Sequence, residues 1–115
     1  MVEILIVDDH EMVRKGLRLW LDEETEFEIV GEASSGRNAI RLYKELQPDV
    51  VLMDISMDGL NGLGAAKEIK KIDSSAKIVM LTTAASKTEI KKAKDYGCDG
   101  FLYKDVKPEE FISVI

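Results

Sequence analysis

Apolar residues follow two alternating rhythms along this chain. Short runs at 3–7, 27–33, 49–53, 77–81 and 101–103 are rich in Ile, Val, Leu and Met and have the length of strands. Between them, apolar positions recur three or four apart, the spacing of one helix face. Val13, Leu17 and Leu21 do so over 12–23, with Met12, Gly16 and Trp20 beside them, and Ile40, Tyr43 and Leu46 do so over 38–46. Leu63, Ala66 and Ile69 mark a third helix over 62–72. Ser86-Lys87-Thr88-Glu89 has capping-box spacing and opens a fourth through Ala93 to Tyr96. Pro48 closes the second helix, and Gly97 and Gly100 bracket the exit of the fourth. Pro108, followed by Glu109 and Glu110, suits the first turn of a fifth helix. That helix has barely begun at Ile115, so we expect a longer parent chain.

Strand and helix thus alternate five times, and most strand runs are oily on both faces. This pattern predicts an α/β fold, a parallel sheet covered by helices. The second run ends in Ala33-Ser34, which places it at a sheet edge away from charged strand ends. A chain of 115 residues suits one domain. No apolar run approaches the ~18 residues of a membrane span, so no membrane role is expected. The single cysteine, Cys98, fits a reducing, cytoplasmic setting, and its Gly-flanked turn suggests an inert thiol. A formal net charge of −6 argues against direct binding to DNA or anionic lipid. Lys70, Lys71, Lys87, Lys91, Lys92 and Lys94 form a basic run that reads as solvated helix faces.

Ligands of open parallel sheets bind beyond the carboxyl ends of the strands. The residues just past each strand are therefore informative. Asp8 and Asp9 come after the first, Asp54 after the third, Thr82 and Thr83 after the fourth, and Lys104 after the fifth. Taken singly, Asp8-Asp9 reads as a helix cap, Thr82 as a strand-end threonine and Lys104 as a solvated lysine. Together they converge at one end of the sheet. Three carboxylates there repel one another, and an all-oxygen set suits Mg²⁺, with Mn²⁺ as substitute. A carboxylate beside such a cation, with a hydroxyl and an ammonium near, is arranged for phosphoryl transfer. Asp54, ending a buried strand, is the candidate nucleophile. His10, the only histidine, reads as an exposed first-turn residue without an orienting partner.

The stretches ILIVDDHEMVRKGL, PDVVLMDISMDGLNG, KIVMLT and GCDGFLYKD, in this order and spacing, resemble the receiver domain of two-component response regulators. The resemblance covers the whole chain, 1–115. It implies a flavodoxin-like doubly wound five-stranded sheet of order 2-1-3-4-5, a (βα)5 unit with a truncated fifth helix. It implies that Asp54 accepts a phosphoryl group from a sensor histidine kinase. Asp9 would ligate Mg²⁺ directly and Asp8 largely through water, with the Ser56 backbone carbonyl as a further ligand. Thr82 and Lys104 would hold phosphoryl oxygens, and Thr82 would couple to Phe101 as the switch. The resemblance also implies no enzyme beyond catalysis of its own phosphorylation and dephosphorylation.

Lys104-Asp105 and Asp8-Asp9-His10 look like the NarL/FixJ subfamily, whose members append a helix-turn-helix output domain. Transcriptional control, DNA contact through that absent domain and homodimerisation on phosphorylation are expectations for the parent protein. Asp58 stands where many relatives carry proline, and Ser56 and Ala84 occupy positions that tune phosphoryl lifetime. A flavin carrier is disfavoured by the acids after the first strand, which repel a cofactor phosphate. An aspartyl-phosphate phosphatase would need an acid where Ser56 stands. The remaining alternative is a receiver-like interaction module that works without phosphorylation.

Overall fold

The computed structural model describes residues 1–57, 59, 61–82 and 86–103. Five parallel strands form one sheet in the order β2-β1-β3-β4-β5. They are β1 (Val2–Val7), β2 (Phe27–Ala33), β3 (Val50–Asp54), β4 (Ile78–Thr82) and β5 (Gly100–Tyr103). The intervening helices are α1 (Glu11–Asp22), α2 (Gly36–Leu46), α3 (Gly62–Ile72) and α4 (Lys87–Asp95). This is the expected doubly wound order, with β2 at an edge. The expected start of a fifth helix lies outside the described residues.

Alternation along the strands divides the core in two. Leu5, Val7, Val51, Met53, Ile78 and Met80 pack with Ala39, Tyr43, Leu63, Ala66, Ile69 and Ala93, so α2, α3 and α4 cover that face. Ile4, Ile6, Val50, Leu52, Val79 and Leu81 point the other way, onto Leu17 and Leu21 of α1. The central strands β3 and β4 are buried throughout. At roughly 1.5–3 kcal/mol for each large aliphatic side chain taken from water, these strands are rigid supports for whatever terminates them.

Helix ends obey their capping chemistry. α2 begins at Gly36, two residues earlier than its apolar spacing indicates, because Ser35 is the cap and its hydroxyl accepts from Asn38 N at 3.2 Å. It ends on Gln47, whose φ of 46° turns the chain left-handed just before Pro48. The capping box of α4 forms in both directions: Glu89 N donates to Ser86 Oγ at 3.1 Å, and Ser86 N to Glu89 Oε1 at 3.0 Å.

Candidate functional site

The register brings three strand ends to one level. Val7 lies beside Met53, and Asp54 beside Leu81. One step beyond these rows stand Asp8 and Thr82. Asp8 N donates to Ala33 O at 3.0 Å and Ile55 N to Leu81 O at 3.1 Å, so the ladder holds the backbone on both sides of the acids. Asp8, Asp54 and Thr82 are all buried, at 0%, 2% and 3% exposure. Ionised groups this deep are stable only with compensating partners or a cation.

One ligand atom from each of Asp8, Asp9, His10 and Asp54 falls within 4.8 Å of every other. Asp9 forms the outer wall, with its side chain 28% exposed. The adjoining cavity, about 270 Å³, is lined by Asp9, Ile55, Ser56, Met57, Asn61 and Glu89. Ser56 thus borders the cavity, and its N–H lies 3.4 Å from Asp54 Oδ1. This donor set is dominated by carboxylate oxygens, as a hard divalent cation requires, and the single imidazole is insufficient for a zinc or iron site.

His10 departs from expectation. Its side chain is 66% exposed, but Nδ1 sits 3.0 Å from Asp8 Oδ1 and 2.9 Å from Asp9 Oδ1. It therefore has orienting partners. The cause is local: Asp8 Oδ1 accepts from His10 N at 2.9 Å, which folds the chain back over its own carboxylate. His10 takes the cap position of α1 without a side-chain cap bond, so neither aspartate serves as the helix cap.

Thr82 pairs in register with Tyr103, the residue before Lys104. Lys104, Asp58, Thr83, Ala84, Asp105 and Pro108 lie outside the described residues. Phe101 is half-buried against the core face under α4, and its ring centroid is 6.4 Å from that of Tyr103. Burial pushes the Cys98 thiol up to about 11 against the weaker influence of Lys70, which disfavours the reactive thiolate.

Four contributors escaped the sequence reading. Asn61 caps α3, accepting from Gly64 N at 2.9 Å. Gly62 packs so closely that a Cβ there would lie 1.9 Å from the Asp54 carbonyl oxygen. Its N–H donates to Ile55 O at 2.9 Å, tying α3 to the residue after the candidate nucleophile. Arg14 donates to the Asp8 carbonyl at 2.5 Å, and Glu89 faces the cavity. Asn61-Gly62 carried a visible signal, an Asn before a helical run, whereas Glu89 was visible only as a capping-box residue.

A family model described as the response regulator receiver domain matches residues 4–115. Response regulator protein VraR of Staphylococcus epidermidis is 40% identical over 114 residues, covering 99% of this chain and 54% of that protein. Transcriptional regulatory protein LiaR of Bacillus subtilis is 39% identical over 115 residues, covering 100% of this chain and 54% of its own length. The chain therefore spans about half the length of these curated relatives. A crystal structure of a LuxR-family two-component response regulator from an Aurantimonas species superposes with a TM-score of 0.93 at 33% identity, over 98% of this chain and 81% of that one. With the strand order, the acidic strand ends and these matches in agreement, the chain belongs to the response regulator receiver domain family.

Proposed function

We propose that this domain accepts a phosphoryl group on Asp54 from the phosphohistidine of a sensor kinase and so controls an output domain in its parent protein. The observation that carries this reading is the convergence of Asp8, Asp9 and Asp54 at the ends of two central strands. The carboxylates fit Mg²⁺, or Mn²⁺ in its place, and Asp8, Asp9, Asp54 and the Ser56 carbonyl would hold it. When bound, the cation supplies charge neutralisation for the phosphoryl oxygens.

The chain's own residues do the rest. β3 holds the Asp54 carboxylate on a rigid strand end, from which one oxygen attacks phosphorus as the phosphorus–nitrogen bond to the donor imidazole breaks. The leaving imidazole nitrogen takes the electron pair and is protonated from solvent water. The Thr82 hydroxyl donates to one oxygen of the new aspartyl phosphate, and Lys104 pairs with another. The added dianionic charge biases Thr82, and with it Phe101 and β5, between two packings. Catalysis is limited to this domain's own phosphorylation and dephosphorylation.

Similarity to LiaR, a transcriptional regulatory protein, supports transcriptional control by the parent protein; a helix-turn-helix output domain and homodimerisation on phosphorylation are part of the same proposal. Among the described residues no helix is long and apolar enough to cross a membrane; a cytoplasmic location is part of the proposal, on the similarity to VraR and LiaR. The test is chemical trapping: incubate with acetyl phosphate and Mg²⁺, reduce with borohydride, and map the peptides. Reduction confined to position 54 supports the reading. Labelling elsewhere contradicts it, and no labelling in protein that binds the cation contradicts it and favours the phosphorylation-independent interaction module.

A further inference from the structure

A guanidinium stands behind the acidic pocket and is fixed at both ends. Arg14, one turn into α1, donates from Nη1 to the Asp8 carbonyl at 2.5 Å. Its Nε lies 3.3 Å from Glu32 Oε1 on β2. The same Glu32 oxygen takes Arg18 Nη1 at 2.5 Å. The Arg14 and Glu32 side chains are only 17% and 25% exposed, so solvent competes weakly for either contact. Arg18 shares the glutamate without touching Asp8 in any described contact, which makes it an internal control.

We propose that Arg14, braced by Glu32, is a positioning residue for the cation pocket. By holding the Asp8 carbonyl it fixes the peptide between Asp8 and Asp9, and thereby sets the affinity for a divalent cation. The inference rests on the reading of this pocket as the cation site. Without a cation, Asp8, Asp9 and Asp54 repel, and turning Asp9 outward about the Asp8–Asp9 peptide would relieve that repulsion. The tie on the Asp8 carbonyl opposes this movement, so less order has to be regained when the cation binds.

A second role for the same side chain has the opposite sign. As a bare positive charge, Arg14 would disfavour a cation, and removing it would tighten binding. The two roles separate on lysine, which keeps the charge. Its single ammonium lacks the planar fork that reaches a carbonyl and a carboxylate in two directions.

The experiment titrates Mn²⁺ into the chain and monitors free Mn²⁺ by electron paramagnetic resonance. Arg14→Lys and Arg14→Met are each expected to weaken binding about 10-fold, in the range of lost outer-shell partners. Glu32→Gln is expected to weaken it a few-fold, because Arg14 keeps its carbonyl contact but loses its brace. Arg18→Gln should stay within about twofold. Phosphorylation by acetyl phosphate should slow in the Arg14 variants at limiting Mg²⁺ and recover at saturating Mg²⁺, which a general loss of structure would not allow. Wild-type affinity in Arg14→Lys, or tighter binding in Arg14→Met, overturns the proposal. If the Arg14 variants do not fold, Glu32→Gln decides: unchanged affinity there also overturns it. Failure of the wild-type protein to bind Mn²⁺ would defeat the cation-site reading and this proposal with it; wild-type binding unaltered by the substitutions defeats this proposal alone.

Discussion

The two ends of the sheet treat carboxylates in opposite ways. At the end where strands begin, Asp49, Asp73 and Asp99 each accept a backbone N–H. Asp49 Oδ2 accepts from Glu3 N at 2.8 Å. Asp73 accepts from Tyr43 Oη at 2.8 Å and from Ser75 N and Oγ at 3.0 and 2.6 Å. Asp99 Oδ2 accepts from Ile78 N at 2.9 Å and lies 3.3 Å from Lys70 Nζ, which also donates to the Ala76 carbonyl. At the end where strands finish, Asp8, Asp9 and Asp54 crowd one another, although His10 reaches Asp8 and Asp9 and Ser56 N reaches Asp54. The first arrangement stabilises the fold. The second sets like charges together in a way that a divalent cation can offset, and that contrast, more than acidity itself, marks the working end.

The largest expected effect probes how tightly the working end is built. Gly62→Ala would force its Cβ to within 1.9 Å of the Asp54 carbonyl oxygen unless α3 moves. Displacing packed backbone in this way should cost about 3 kcal/mol or more, read as a lower denaturant midpoint with loss of phosphorylation. Gly16, with open space where its Cβ would stand, is the contrast. Gly16→Ala should instead stabilise α1 by up to about 1 kcal/mol.

A paired substitution then sets the two ends against each other. Asp9→Asn removes a like charge from the crowded end and should raise the melting temperature without metal, while abolishing most of the stabilisation by Mg²⁺. Wild-type protein at ten times its dissociation constant should gain about 1.4 kcal/mol from Mg²⁺ by mass action. Asp99→Ala removes a satisfied carboxylate and should destabilise by roughly 1–3 kcal/mol with cation affinity unchanged. If Asp9→Asn destabilises as Asp99→Ala does, the contrast between the ends fails.

The smallest effect concerns pH at the strand-starting end. Burial, then the hydrogen bond to Asp73, pushes the Tyr43 hydroxyl up to about 12 from its ordinary 10.0. The folded state therefore favours the neutral phenol. Its contribution to stability is fully present below pH 10 and is lost as pH rises from there through 12. Asp73 moves the other way, held low by Ser75 and then by Tyr43, so its contribution is present above the ordinary carboxylate range and is lost on acidification. In Tyr43→Phe the alkaline component should vanish from a plot of denaturant midpoint against pH, with a loss of about 1 kcal/mol at neutral pH.

Much of this organisation was legible in the sequence. Strands apolar on both faces announced a covered parallel sheet, and the strand ends announced Asp8, Asp9, Asp54 and Thr82. Those signals are local, since a strand end is visible wherever an apolar run stops. The supporting contacts were illegible because they join residues distant in sequence at separations set only by packing. No pattern says that Gly62 must touch the Asp54 backbone, or that Arg14 reaches from α1 to the Asp8 carbonyl and to Glu32. His10 is exposed as expected, but its orienting partners were illegible for a related reason, since they depend on how the chain folds back after β1. The early start of α2 was hidden because Gly36 and Arg37 offer no apolar spacing, although Ser35 was a visible cap.

The central claim is that Asp54 becomes the phosphoryl acceptor because the neighbouring carboxylates can bind a divalent cation. It is tested most directly by intact-protein mass after incubation with acetyl phosphate, with and without Mg²⁺, for the wild-type chain and Asp54→Asn. The account predicts one added phosphoryl group on the wild-type chain with Mg²⁺, and none without the cation or in Asp54→Asn. A phosphoryl group retained by Asp54→Asn, or gained equally in chelator, would contradict it.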